Sequence, residues 1–161
     1  MHTSHTITVN IICITVMNMR KTINRLRAVI IFLIGGSAYI CIEILWRILH
    51  RSEPTHWTMF FLGGCAFYCI SKINDRFPEK TVSAKKCILG TFAILLLEFV
   101  SGCALNIWLS MGIWDYTHLP MNIMGQVCLP FAIAWYGLTA IAFTMDRFIK
   151  HKIFHRKLLF P

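Results

Sequence analysis

The chain is short of charge and shorter still of acid. Only 14% of its 161 residues are Asp, Glu, Lys or Arg, where a soluble domain carries about 25%. Seven acidic residues stand against 16 Lys and Arg. No GxxxxGKS/T loop occurs, so the chain does not cradle nucleotide phosphates in the P-loop manner, and neither GxSxG nor HExxH is present. No long polar segment is available for a soluble catalytic domain. Against these absences, 57% of the residues are hydrophobic and the mean hydropathy is +0.62. A globule of this size in water has nowhere to put so much apolar surface. A soluble enzyme, a disordered chain and a nucleic-acid-binding arm are excluded, and an integral membrane protein remains.

The apolar residues collect in four runs, 28–46, 57–73, 87–109 and 121–144. Each is long enough, or nearly so, to cross a hydrocarbon layer about 30 Å thick. They are continuous rather than alternating, which predicts helices and not a barrel. Lys72 sits where its ammonium reaches the interface from the short second run. The expected fold is all-α, a polytopic bundle of four transmembrane helices.

The surplus of +9 falls between the runs. Arg20, Lys21, Arg25 and Arg27 precede the first, Lys72, Arg76, Lys80, Lys85 and Lys86 lie between the second and third, and Arg147, Lys150, Lys152, Arg156 and Lys157 follow the fourth. The other two connections hold only Arg47 and Arg51. This bias predicts both termini on the cytoplasmic side of a bacterial inner membrane, with the cations against anionic lipid rather than nucleic acid. The chain divides into a basic N-terminal segment (1–27), a transmembrane domain (28–146) and a basic tail (147–161). Residues 7–17 are apolar but too short to span, and residues 1–16 read as a start-site extension or an interfacial segment, with Met17 or Met19 a natural start.

Seven cysteines lie almost entirely in apolar runs, where a thiol behaves as a small hydrophobe. Cys65 and Cys69 share a helix face, but no His stands near to complete a tetrahedral set. No metal and no cofactor is expected. Gly35, Ala38 and Glu43 recur 55 residues later as Gly90, Ala93 and Glu98, the trace of a parallel repeat of helical hairpins. Gly35-Gly36 and Gly63-Gly64 are small enough for close helix approach. Pro130 predicts a kink in the fourth span, and Trp135, inside that span, a packing role.

Charge inside the membrane is the most informative feature, because a carboxylate near the bilayer centre costs roughly 2.5–3.5 kcal/mol even on lenient insertion scales. Glu98 falls about 16 Å into the third run, at the midplane. Glu43 lies further out along the first run, with Arg47 one turn on and placed to pair with it. Asn106, Trp114, Asp115, Tyr116, Asn122 and Gln126 gather toward the same outer side. Facing inward, this set would form an outward-open polar pocket floored by Glu98. The alternative is that the amides only bond neighbouring helices, at about 0.6 kcal/mol each.

The stretches LLEFVSG and IWDYTHLPMNIMGQVCLPF, with Trp135 beyond them, resemble the ABC-transporter type IV (CmpB-like) family of bacterial permeases. AYICIEILWR and HWTMFFLGG are similar to the N-terminal half of its short members. The resemblance covers about residues 28–146. It carries the family's recurrent residues onto Glu43, Arg47, Glu98, Gly102, Trp114, Asp115, Tyr116, Pro120, Asn122, Gly125, Gln126 and Pro130. Thr117 stands where the family usually has Ser, and the Asn-Arg-Gly and Gly-Pro-x-Cys-Pro-Ile-Tyr-Gly segments of longer members are absent. The resemblance implies a permease-like component that works as a homo-oligomer with a separate ATP-binding subunit. Two other classes stay open: a membrane accessory subunit whose carboxylates lock packing, and a small lipid-acting enzyme using Glu98 or Asp115.

Overall fold

The computed structural model describes residues 2–50, 54–77 and 82–152, with side chains from residue 13 onward. Arg51, Lys80, Arg156 and Lys157, which enter the charge count, lie outside the described residues. Among the described residues four α-helices make up the architecture: α1 (His2–His50), α2 (Thr58–Arg76), α3 (Ala84–Gly102) and α4 (Leu129–Lys152). A π-helical turn, Cys103–Trp108, continues α3. Residues 109–128 then form a structured loop before α4.

Successive helices run antiparallel. On α1 and α2, Phe32 lies against Gly64 and Tyr39 against Gly63, while Gly36 lies against Phe60. Without a Cβ, these glycines let the two backbones approach closely, which is how helices associate in lipid. At the next interfaces Ile70 of α2, Ile94 of α3 and Phe143 of α4 form one apolar cluster, and Ile31, Phe67 and Ile149 form another. α1 and α3 therefore run in the same direction. Ile88, Phe92, Leu96 and Val100 make an exposed stripe on α3, opposite buried Cys87, Thr91, Ile94 and Glu98. In lipid such a stripe is the solvated face.

Among the described residues three helical stretches, not four, are long and apolar enough to cross a membrane: Cys13–His50, Ala84–Trp108 and Leu129–Lys152. The second expected span is the one that falls short. α2 spends its last turns on Lys72, Asn74, Asp75 and Arg76, and two of those side chains serve contacts with α3 and α4. The fourth expected span also moves. α4 begins at Leu129 rather than 121, because Met121, Met124 and Gly125 adopt positive φ and close a set of turns. Pro130 thus stands in the first turn of α4, where its missing N–H breaks no helical bond, and it makes no mid-span kink.

The glycine contacts predict a graded response. Any Cβ at position 36 would stand 2.6 Å from the Phe60 carbonyl oxygen, whereas Gly137 has nothing within 4 Å. Gly36→Val should destabilise the fold by about 1–3 kcal/mol through overpacking. Gly137→Ala should be neutral or stabilising by up to about 1 kcal/mol. Thermal unfolding of the purified protein in detergent measures both.

Candidate functional site

At the loop end of the bundle, the chain between α3 and α4 is held by amide and indole groups. The π-helical turn places Asn106 so that its Nδ2 donates to the Trp114 carbonyl at 3.0 Å and to Gln126 Oε1 at 2.9 Å. Its Oδ1 accepts from the Ile113 amide at 2.7 Å. Trp114 is buried, and its Nε1 donates to the Gln126 carbonyl at 3.0 Å. Gln126 Nε2 donates to the Met124 carbonyl at 3.0 Å, and Gly102 leaves the space that the Gln126 side chain occupies. Asn122 Nδ2 donates to the carbonyls of Thr117 and Leu119, while its Oδ1 accepts from the Gly125 amide. Asn122 and Gln126 lie in the loop and not on the fourth helix. Gly125 is needed where it is: its φ is +67°, and a Cβ there would meet Thr117 and Asp115.

Asp115 is exposed and closes a tight turn. Its Oδ1 accepts from the Thr117 amide at 2.8 Å, and its Oδ2 accepts from the Thr117 hydroxyl at 3.0 Å. These two donors, the amide first, hold its carboxyl below the usual aspartate range. The carboxyl bonds within its own turn.

Tyr116, the next residue, connects the loop to the interior. Its hydroxyl donates to Glu98 Oε1 at 3.2 Å, and Trp135 Nε1 donates to Glu98 Oε2 at 3.0 Å. Glu98 is 4% exposed and lies just past the middle of the Ala84–Trp108 stretch. Rings surround it. Tyr39 of α1 stacks on Trp135 with centroids 5.8 Å apart, and Tyr116 stacks on Phe131 at 4.6 Å. Glu43 stands near, but its Oε1 bonds Arg47 Nε at 2.8 Å, and Arg47 Nη2 donates to the Ile113 carbonyl at 3.3 Å. Arg47 thereby ties the end of α1 to the loop.

The polar residues expected to line an outward-open pocket thus fall into two groups. Asn106, Trp114, Asp115, Asn122 and Gln126 are taken up in the loop's own bonds. Glu98, Tyr116, Glu43 and Arg47 face the interior or its edge. The space beside Glu98, walled by Tyr39, Leu62, Gly63, Ala66, Ile94 and Trp135, is a cavity of about 10 Å³. That is close to the minimum for one water molecule.

The family described as "Putative ABC-transporter type IV" matches residues 10–158. The chain belongs to this CmpB-like family. No curated protein and no solved structure is detectably similar to it. In this CmpB-like chain the resemblance residues Glu98, Gly102, Trp114, Tyr116, Asn122, Gly125 and Gln126 converge on one contact, the seat of the loop on α3.

A second polar cluster in the CmpB-like bundle lies at its basic end, and sequence reasoning missed it. Asp146 of α4 is 0% exposed. Its Oδ2 accepts from Asn74 Nδ2 at 2.7 Å and from Lys150 Nζ at 2.9 Å, and its Oδ1 has no hydrogen-bond donor among the described residues. Lys86 of α3, 3% exposed, donates to Asn74 Oδ1 at 2.6 Å and to the Phe77 carbonyl at 2.8 Å. Its Nζ also lies 5.1 Å from the Phe143 ring centroid. Lys150 reaches onward to Asp75 and to the Ser71 carbonyl. Lys86 and Lys150 entered the sequence argument only as topogenic charges, and Asp146 did not enter it. The signal available was an Asp and a Lys four residues apart on the last turns of α4.

Removing the buried acceptor should cost more than removing the exposed one. Asp146→Leu leaves the buried Asn74 amide without its acceptor and Lys150 with only Asp75 and the Ser71 carbonyl, and should destabilise by about 1–3 kcal/mol. Asp75→Ala, at the solvent-facing end of the same network, should cost about 0–1 kcal/mol. Detergent-phase thermal unfolding separates the two. For the Asp115 turn the folded-state value is depressed. The contact is therefore fully present above the ordinary aspartate range and is lost as pH falls through the depressed value. Hydrogen exchange in the loop, corrected for intrinsic rates, should rise only in acid, and Thr117→Val should move that onset to higher pH.

Proposed function

We propose that this chain is the membrane-embedded, permease-like component of an ABC-type transporter of the bacterial inner membrane, with its basic end toward the cytoplasm and the Glu98 cage as its translocation site. One observation carries the reading: an acidic side chain at mid-depth, buried among three helices and reached through a loop residue. A residue serving only as glue has cheaper alternatives, since an amide bonds as well without the cost of desolvating a carboxylate. The family supports the transporter class. The basic end, where Lys72, Arg76, Lys85, Lys86, Arg147, Lys150 and Lys152 lie, supports the orientation. Because the chain has no P-loop, ATP binding falls to a separate subunit, and a bundle this small works as a homo-oligomer.

A second reading has its own support. The loop amides are consumed in structural bonds and the cavity beside Glu98 is about 10 Å³, which suits an accessory subunit whose carboxylates lock packing.

Affinity purification from native membranes in mild detergent tests the first reading, with mass spectrometry of stoichiometric partners. A co-purifying ATP-binding subunit is expected. Glu98→Gln should then abolish accumulation or efflux with the membrane yield unchanged. Reproducible self-association alone, with Glu98→Gln lowering thermal stability, would instead establish the accessory role.

A further inference from the structure

The ionic accounting around Glu98 does not close. Among the described residues its carboxylate forms no ion pair, and both oxygens accept from neutral donors, the Tyr116 hydroxyl and the Trp135 indole. Arg47 is paired with Glu43, while Lys86 and Lys150 are engaged at the opposite end of the bundle. A carboxylate at hydrocarbon depth requires a counter-charge or a proton. No side chain described here supplies the charge.

The walls indicate what would. Tyr39 and Trp135 present stacked rings, and Tyr116 with Phe131 presents another pair. The cavity beside Glu98 is lined by the first of these pairs together with Leu62, Gly63, Ala66 and Ile94. Aromatic faces around one acid attract a cation by both its charge and its apolar surface. A hard metal ion asks for about six oxygen ligands, which this lining does not offer. An anion would meet Glu98 itself. The cavity of about 10 Å³ holds no more than a water, so a larger guest enters only as the rings around Glu98 part. Tyr116 is held by one 3.2 Å bond to Glu98 and by its stacking on Phe131, and Gly63 and Ala66 keep the α2 wall low.

We propose that the Glu98 cage is a binding site for a lipophilic organic monocation, which replaces a proton as the counter-charge of that carboxylate. The proposal rests on Glu98 being the translocation site and names its substrate class. Competition with protons sets the sign: the cation binds the ionised carboxylate, so its affinity falls as pH falls. The other groups bearing on Glu98 are Glu43 with Arg47 and the Tyr39 hydroxyl from α1, and the Tyr116 hydroxyl from the loop. α2 and α4 face it with Leu62, Gly63, Ala66 and Trp135, none of which titrates.

Titration calorimetry of the purified full chain in detergent with tetraphenylphosphonium tests this. Saturable binding is expected, weakening as pH is lowered, with protons released into weak buffer on the acid side. Glu98→Gln should weaken it tenfold or more, Trp135→Phe by a smaller factor, and Asp75→Ala, at the opposite end of the bundle, should leave the pH dependence in place. Uptake that does not saturate, an affinity independent of pH, or equal binding by Glu98→Gln each overturns the proposal. The pH and proton-release measurements need only the native chain, so they decide the matter even if a variant fails to fold. Failure here alongside a co-purified ATP-binding subunit removes the cation site alone. Failure of both removes the transporter reading.

Discussion

One buried carboxylate organises the loop end of this protein. Taking Glu98 out of water is expensive, and at that depth its oxygens must be met by protein groups or by a ligand. Trp135 arrives from α4 and Tyr116 from the loop, each contributing one donor. For Tyr116 to reach it, the loop must fold down onto the bundle. That requires the turns at Met121, Met124 and Gly125, the Asn106–Gln126 bond and the space left by Gly102. The late start of α4 is a consequence of the same requirement. Residues that hydropathy assigns to a span are used to build a cap.

The basic end solves a related problem differently. There the buried acid, Asp146, is matched by the Lys150 ammonium, so its charge is balanced within the chain. Asn74 links Asp146 to Lys86, and three helices meet in one network. The two ends thus contrast in charge accounting. One is internally neutral and stabilises the meeting of α2, α3 and α4, whereas the other keeps an acid with only neutral donors. A site that binds and releases a cation needs the second arrangement, because an internal counter-ion would compete with the guest.

Between the ends, packing relies on smallness. Gly35, Gly36, Gly63 and Gly64 bring α1 against α2 while aromatic rings fill the opposing positions. In lipid the outward faces gain nothing by hiding apolar groups, so contact quality and polar satisfaction do the holding. The exposed stripe on α3 is consistent with that environment.

Composition and hydropathy were enough to establish an all-helical membrane protein, because apolar runs of spanning length have no other stable home. They also located Glu98 as the costly residue, Glu43 and Arg47 as neighbours one turn apart, and the Trp114–Gln126 segment as a polar concentration. The family was legible in LLEFVSG and WDY. Sequence could not count the spans, since α2 trades hydropathy for Asn74 and Asp75, whose partners on α4 lie more than seventy residues away. Nor could it foresee that Trp135 is the donor to Glu98, or that Asn122 and Gln126 belong to a loop. Those outcomes depend on which groups meet across helices. Local pattern sets how apolar a segment is, but only tertiary contact decides which polar atom satisfies which.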